Sequence, residues 1–250
     1  MNHWARKKAR TQERLTDMSD PRERGGVKRY LDTVKPEEYV PNFGDIDPKT
    51  LSLTALADAY GSDKGTIKHN YTQVYEGLIK DLLIGNERLK HELFIAEFGI
   101  ACGASIRMWS HYLPASKIYA WDIRPECAEV CRDVPNYKCI IKDPATDEPE
   151  HSSGFDLIVD DASHIAEQIV ATFKNCWDWV APDGYYVIED TSCTYNSAYT
   201  QQFREHFDAK ALNERSNFVA LVDALMKVCD QRGSVAEFHY YPNLLVIKRK

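Results

Sequence analysis

Two acid-rich segments have the residue types and placement for chemistry. Asp160-Asp161-Ala162-Ser163-His164 and Glu189-Asp190-Thr191 each follow a short apolar run that reads as a β-strand. Strand ends on one edge of a parallel sheet converge at a ligand crevice. That rule would bring Asp161, Glu189 and Asp190 together beside His164. Carboxylates gathered in one place repel one another unless a cation neutralises them. A donor set rich in oxygen and poor in nitrogen suits Mg²⁺ or a similar hard ion, which keeps open positions for water or substrate. Any one of these acids would serve equally well as a helix N-cap or a turn residue. The set, at successive strand ends, is what points to a cation. His164 lies three residues beyond Asp161 at the same mouth, and an imidazole titrates near working pH.

A second constellation is Glu97-Phe98-Gly99-Ile100-Ala101-Cys102-Gly103-Ala104-Ser105, at a strand-to-helix turn. Glycines let a backbone approach a ligand closely, and the helix that follows offers free N–H groups. The pattern is Glu-x-Gly-x-x-x-Gly-x-Ser rather than the GxGxxG of dinucleotide binders. Glu97 at the strand end suits a ligand carrying an ammonium group and would repel a pyrophosphate. Two glycines in such a turn are also compatible with packing alone. Asp122 ends the next strand, 19 residues after Gly103. An acid at that position accepts bonds from ribose hydroxyls, or is simply a surface turn residue. Asp143, after the third strand, is a weaker adenine-side candidate.

These residues need a scaffold that lines up strand ends. Apolar runs at 93–98, 117–122, 137–142, 155–161 and 185–190 alternate with helical patterns, among them Ile165 to Val180 with Ile169, Phe173 and Trp177 on one stripe. The stretch after Asp122 also reads as helical through Cys131. Strands alternating with helices mean a parallel sheet covered on both faces. Near the end, Val219, Val222, Leu225, Met226 and Cys229 mark a long amphipathic helix. Val235 to Tyr241 and Leu244 to Lys248 then form two β runs joined by Tyr241-Pro242-Asn243, a turn tight enough to force an antiparallel pair. The expected fold is α/β, a Rossmann-like sheet of seven strands with an antiparallel C-terminal hairpin and helices on both faces. That is the layout of the class I methyltransferases. A helical cap precedes it, with Leu51, Leu53, Leu56 and Ala57 on a short helix and Tyr71 to Leu83 on a longer one.

The chain has 250 residues, 44% hydrophobic and 28% charged, a globular composition. The expected division is a basic arm over 1–26, a helical cap over 27–90 and the sheet domain over 91–250, with a lid insertion at about 192–232 carrying Tyr195, Tyr199, Phe203 and Phe207. The net charge is −7. The residues up to Gly26 carry seven basic and four acidic side chains, hence +3, and the remainder carries −10. An acidic body disfavours wholesale nucleic-acid binding. The seven cysteines are odd in number and contain no CxxC, so they read as reduced thiols of a cytoplasmic protein. No apolar run approaches 18 residues, so no membrane span is expected.

Taken together, Gly61-Ser62-Asp63-Lys64-Gly65, Glu97-x-Gly-x-x-x-Gly-x-Ser, Asp160-Asp161-x-Ser-His164 and Glu189-Asp190 resemble the metal-dependent sugar O-methyltransferases of macrolide biosynthesis and the cephalosporin-hydroxylase-like proteins grouped with them. The resemblance covers about residues 50–250. It implies S-adenosylmethionine and Mg²⁺ as cofactors and a small-molecule hydroxyl acceptor such as a glycoside in natural product biosynthesis. It is compatible with a homo-oligomer. By the same resemblance Asp161, Glu189 and Asp190 match the metal ligands and His164 the general base, with Asp161 beside it. Ser62, Lys64, Glu97, Gly99, Gly103, Ser105, Asp122, Asp143 and Asp160 match the cofactor site. Two departures matter. Ala162 stands where the family has glycine, which is sterically mild unless the backbone needs a positive φ. The stretch Thr191-Ser192-Cys193-Thr194-Tyr195 agrees only loosely with the family's acceptor-shaping segment. The rival readings are a nicotinamide-dependent oxidoreductase on a similar sheet and a protein that holds S-adenosylmethionine without transferring methyl.

Overall fold

A computed structural model describes residues 41, 43, 50–85, 92–148, 154–195 and 215–250. The expected basic arm, most of the segment before Leu51, and Tyr199, Phe203 and Phe207 lie outside the described residues. Seven strands form one mixed sheet in the order β3-β2-β1-β4-β5-β7-β6. They are β1 (Phe94–Phe98), β2 (Lys117–Asp122), β3 (Tyr137–Ile141), β4 (Phe155–Asp160), β5 (Val180–Ile188), β6 (Val235–Tyr241) and β7 (Leu244–Arg249). β1 pairs parallel with β4, and β4 with β5. β7 runs antiparallel between β5 and β6. This is the class I methyltransferase arrangement expected from the sequence. Among the described residues, no helix is long and apolar enough to cross a membrane.

The chain divides into two compact units, and β2 contributes to both. The first unit holds helices α1 (Leu53–Tyr60), α2 (Thr72–Gly85) and α3 (Ala104–Tyr112) together with β3. α1 starts at Ser52, whose hydroxyl accepts from the Ala55 N–H at 3.1 Å, so one of the free donors of the first turn is satisfied. It stops at Gly61, which takes φ 70° and returns its N–H to Asp58 O. Leu53, Leu56, Ala57 and Tyr60 are buried on one side. Glu76 of α2 ties the two helices by accepting the Leu53 N–H at 2.8 Å. The buried stripe of α2 is Tyr75, Ile79 and Leu82, with Val74 and Leu78 half-buried beside it. Tyr75 meets Trp109 of α3 edge to face, with ring centroids 5.2 Å apart. Arg107 of α3 is buried and grips both carboxylate oxygens of Asp133 at 2.8 and 2.7 Å.

The second unit contains β1, the later part of β2, β4, β5, the hairpin β6–β7, and helices α4 (Ala166–Cys176) and α5 (Arg215–Asp230). β1 and β4 are buried almost throughout, as parallel strands covered on both faces must be. Phe98, Trp121, Phe155 and Tyr186 of the strands interlock with Trp179, and Phe173 of α4 packs against Tyr186 at 5.1 Å. The Trp121 indole N–H is not stranded in this apolar setting, because it donates to Asp147 Oδ2 at 2.9 Å.

Several boundaries differ from the sequence reading. α4 ends at Cys176 and continues only as a single 3₁₀ turn, Trp177–Trp179. β5 starts at Val180 rather than Tyr185, and its register against β4 shifts where Ala181-Pro182-Asp183-Gly184 bulges out. After β2 there is a 3₁₀ helix, Pro125–Glu129, rather than a longer helix. Pro135 lies six residues beyond it, which limits how far a helix could propagate.

Candidate functional site

Backbone bonds in the second unit align the strand ends. Gly99 N–H donates to Trp121 O at 2.8 Å, Asp161 N–H to Phe98 O at 3.0 Å, and Glu189 N–H to Asp160 O at 3.0 Å. The C-terminal ends of β1, β2, β4 and β5 therefore lie side by side, which places Glu97, Asp122, Asp161 and Asp190 along one edge. Gly99 makes this possible at the first of them. It adopts φ 95°, and a Cβ there would collide with the carbonyl oxygen of Asp161.

Asp161, His164 and Asp190 offer ligand atoms that all lie within 4.8 Å of one another. His164 Nε2 is 3.6 Å from Asp161 Oδ1 and 3.9 Å from Asp190 Oδ2. His164 and Asp190 are buried and Asp161 is half-buried. Both His164 and Asp190 take positive φ, 55° and 52°. Left-handed backbone at side-chain-bearing residues is uncommon and collects at functional sites. Ala162 is not among the positive-φ residues, so the replacement of glycine there carries no backbone penalty. Ser163 closes the turn by accepting the Ile165 N–H at 3.2 Å just before α4 begins. Two carboxylates and an imidazole this close fit a small cation, since a set of this kind is otherwise self-repelling.

Glu189, expected alongside, is not part of this set of three. It is buried next to Asp190, where its backbone extends the bonding between β4 and β5. Asp190 turns into a left-handed conformation one residue later, so these neighbouring acids do not automatically converge. At the end of β4, the alternation of sides along a strand separates Asp160 from Asp161. The Asp160 carboxyl accepts from the Tyr186 hydroxyl at 3.1 Å, and burial pushes its pKa up to about 7.

Of the residues expected near a cofactor, Glu97 is fully buried at the end of β1 and Asp122 is buried at the end of β2. Asp143 organises its own turn by accepting the Ala145 N–H at 2.9 Å. In the first unit, Ser62 and Lys64 are both buried within the loop after α1. Gly103 caps α3 with φ 73°, and a Cβ on it would strike Cys131 Sγ and Val130 Cγ1. Packing alone thus requires glycine at 103. Ser105 is buried in the first turn of α3. Two participants escaped the sequence reading. In the sequence Tyr186 is a strand residue and Asn243 part of a turn, yet Tyr186 bonds Asp160 and Asn243 Nδ2 donates to Asp190 Oδ1 at 2.9 Å.

Residues 96–191, which contain the aligned strand ends, match the family described as a methyltransferase domain. The chain carries a methyltransferase domain. Beyond that domain, the chain is similar to 8-demethyl-8-alpha-L-rhamnosyl tetracenomycin-C 2'-O-methyltransferase of Streptomyces olivaceus, 27% identical over 79% of this chain and 54% of the relative. It is also similar to mycinamicin VI 2''-O-methyltransferase of Micromonospora griseorubida, 30% identical over 72% of this chain and 45% of the relative. The chain spans about half the length of these curated relatives. Among solved structures, the methyltransferase fold matches MycE of the mycinamycin biosynthetic pathway, in complex with Mg, S-adenosylhomocysteine (SAH) and mycinamycin VI. The TM-score is 0.63 at 23% identity, covering 81% of this chain and 55% of MycE. Asp161, His164 and Asp190 all lie within the matched segment, Asp190 one residue before its last position.

Proposed function

We propose that this methyltransferase domain moves a methyl group from S-adenosylmethionine to a hydroxyl of a glycoside or other diol-bearing small molecule, with Mg²⁺ at Asp161 and Asp190. The observation that carries this reading is the cluster of Asp161, His164 and Asp190 within 4.8 Å at the strand edge. Its support from similarity is the run of sugar O-methyltransferases among the relatives, including L-olivosyl-oleandolide 3-O-methyltransferase of Streptomyces antibioticus.

The sulfonium of S-adenosylmethionine supplies an already activated methyl, and a divalent ion supplies charge that favours an ionised acceptor hydroxyl. What the chain adds is placement and proton transfer. His164 Nε2 takes the hydroxyl proton as the O–CH₃ bond forms and the S–CH₃ bond breaks, releasing S-adenosylhomocysteine. Asp161 Oδ1 and Asp190 Oδ2 lie 3.6 and 3.9 Å from that nitrogen. Glu189 is the third carboxylate assigned to the ion. Glu97 is assigned the amino group of the cofactor's methionine part and Asp122 its ribose hydroxyls, with Gly99, Asp143 and Asp160 along the same edge. Ser62, Lys64, Gly103 and Ser105 are assigned to the cofactor by the resemblance. The division into an arm (1–26), a helical cap (27–90) and a catalytic domain (91–250) with a lid at about 192–232 belongs to the same reading.

Transfer of labelled methyl from S-adenosylmethionine to a panel of rhamnosides and other glycosides tests it. Activity that disappears with EDTA and returns with Mg²⁺ is expected. Transfer indifferent to EDTA removes the metal from the reading, and binding of NADH in preference to S-adenosylhomocysteine replaces the reading with an oxidoreductase.

A further inference from the structure

Asp190 is held from behind by a residue that the reaction scheme does not use. Asn243 sits in the two-residue turn between β6 and β7. Its Nδ2 donates to Asp190 Oδ1 at 2.9 Å, and its Oδ1 accepts the Ser192 N–H at 2.7 Å. Its carbonyl accepts the Thr191 N–H at 3.3 Å. The Ser192 N–H can only donate, so the atom facing it is the amide oxygen, and the NH₂ group necessarily faces Asp190. The remaining oxygen of Asp190, Oδ2, is the one 3.9 Å from His164 Nε2.

We propose that Asn243 is a positioning residue that fixes the orientation of the Asp190 carboxylate toward the cation site. The inference rests on the reading of Asp161, His164 and Asp190 as that site. The geometry is consistent with it at every step. In the β5–β7 ladder Ile188 faces Leu245, and continuing that register by two residues sets Asn243 opposite Asp190. The hairpin is therefore clamped to the segment that carries the ligand. Asp190 itself has φ 52° and has left the strand conformation, so its side chain is not held in place by the pleat. A carboxylate with one oxygen fixed by an amide donor presents the other oxygen in a defined direction. Groups that orient metal ligands in this way are typically worth 10–100-fold in metal affinity.

A turn requirement alone would not produce these contacts. Asn243 has φ 65°, a conformation that glycine satisfies as well. Glycine would keep the turn and lose both side-chain bonds. Asn243→Gly is therefore the informative variant, whereas alanine would add backbone strain.

Mn²⁺ titration followed by the loss of the free-ion EPR signal reads the site without turnover, alongside circular dichroism and thermal melting. Five proteins are compared: wild type, Asn243→Gly, Tyr240→Phe, Asp190→Ala, and Asn243→Gly in the Asp190→Ala background. Tyr240→Phe removes only the bond between the Tyr240 and Thr191 hydroxyls, 2.9 Å in the native hairpin. The expected result is an affinity about 10-fold or more weaker for folded Asn243→Gly. Tyr240→Phe should bind as wild type, and Asn243→Gly should add less than two-fold once Asp190 is already absent. A folded Asn243→Gly with wild-type affinity overturns the proposal, as does an equal loss in Tyr240→Phe, which would mean general loosening of the hairpin. Absence of Mn²⁺ binding by the wild type overturns the cation reading itself, a result distinct from either.

Discussion

His164 illustrates how much of a residue's meaning depends on what stands beside it. Its Nε2 lies close enough to Asp161 and Asp190 to act either as a proton acceptor or as a third ligand, and the two roles separate experimentally. If His164 is the base, His164→Ala should lower turnover by about 10²-fold or more, while Mn²⁺ affinity stays within about three-fold of wild type. Loss of metal binding together with turnover would make it a ligand instead. The same scale governs the Arg107–Asp133 pair. The guanidinium holds the Asp133 carboxyl below its usual pKa, chiefly through their hydrogen bonds. A carboxylate with a depressed folded pKa stabilises the fold above its unfolded pKa and loses that contribution as pH falls through the folded value. Asp133 is 37% exposed, so solvent discounts the pair. Asp133→Asn should cost about 1–2 kcal/mol at pH 7. The difference from wild type in urea unfolding should shrink as the pH is taken below about 4. A gap that is independent of pH would assign the loss to shape rather than charge.

At the scale of elements, the turn after β1 is built around two glycines, Gly99 and Gly103, whose neighbours are backbone and side chains rather than open space. Gly103 packs against Cys131 Sγ and Val130 Cγ1 while capping α3 in a left-handed conformation. Gly103→Ala forces both the clash and the strain, and should lower stability by about 1–3 kcal/mol in denaturant unfolding. A neutral outcome would mean that the segment carrying Cys131 yields easily. The motif Glu-x-Gly-x-x-x-Gly-x-Ser was legible as a strand-to-helix turn because glycine spacing and the switch of hydrophobic period are local. Which glycine served packing was not legible, since Cys131 is 28 residues further along the chain. The 3₁₀ helix Thr191–Tyr195 is likewise fixed from a distance. Arg215 of α5 donates to Thr191 O and Thr194 Oγ1 at 3.1 and 2.6 Å, and its guanidinium lies 4.0 Å from the Tyr195 ring centroid. Loose local agreement with a family pattern therefore says little about how firmly this segment is held.

For the whole molecule, the cysteines summarise how burial partitions chemistry. All seven are free thiols. Cys102, Cys127, Cys131 and Cys176 are buried, and burial raises the Cys102 thiol to about 11, which leaves it almost wholly protonated at neutral pH. Alkylation of the native protein by iodoacetamide should therefore modify only Cys139, Cys193 and Cys229, with the other four reacting after denaturation, as read by peptide mass. Early modification of Cys127 or Cys131 would show that the segment after β2 opens readily.

The amino-acid sequence alone determined the alternation of strands and helices, the antiparallel hairpin at the end and the identity of the acids at the strand ends. All of these are carried by local periodicity and by turn residues, which a linear chain displays directly. Only the tertiary structure decided which of those acids meet. Asp161, His164 and Asp190 come within 4.8 Å of one another, while the Asp160 carboxyl turns to the Tyr186 hydroxyl. The pairing of β7 beside β5 brought Asn243 behind Asp190 across 53 positions of sequence. The physical reason is the same in each case. Side-chain direction and long-range strand pairing are properties of the folded backbone, and no spacing within the sequence encodes them.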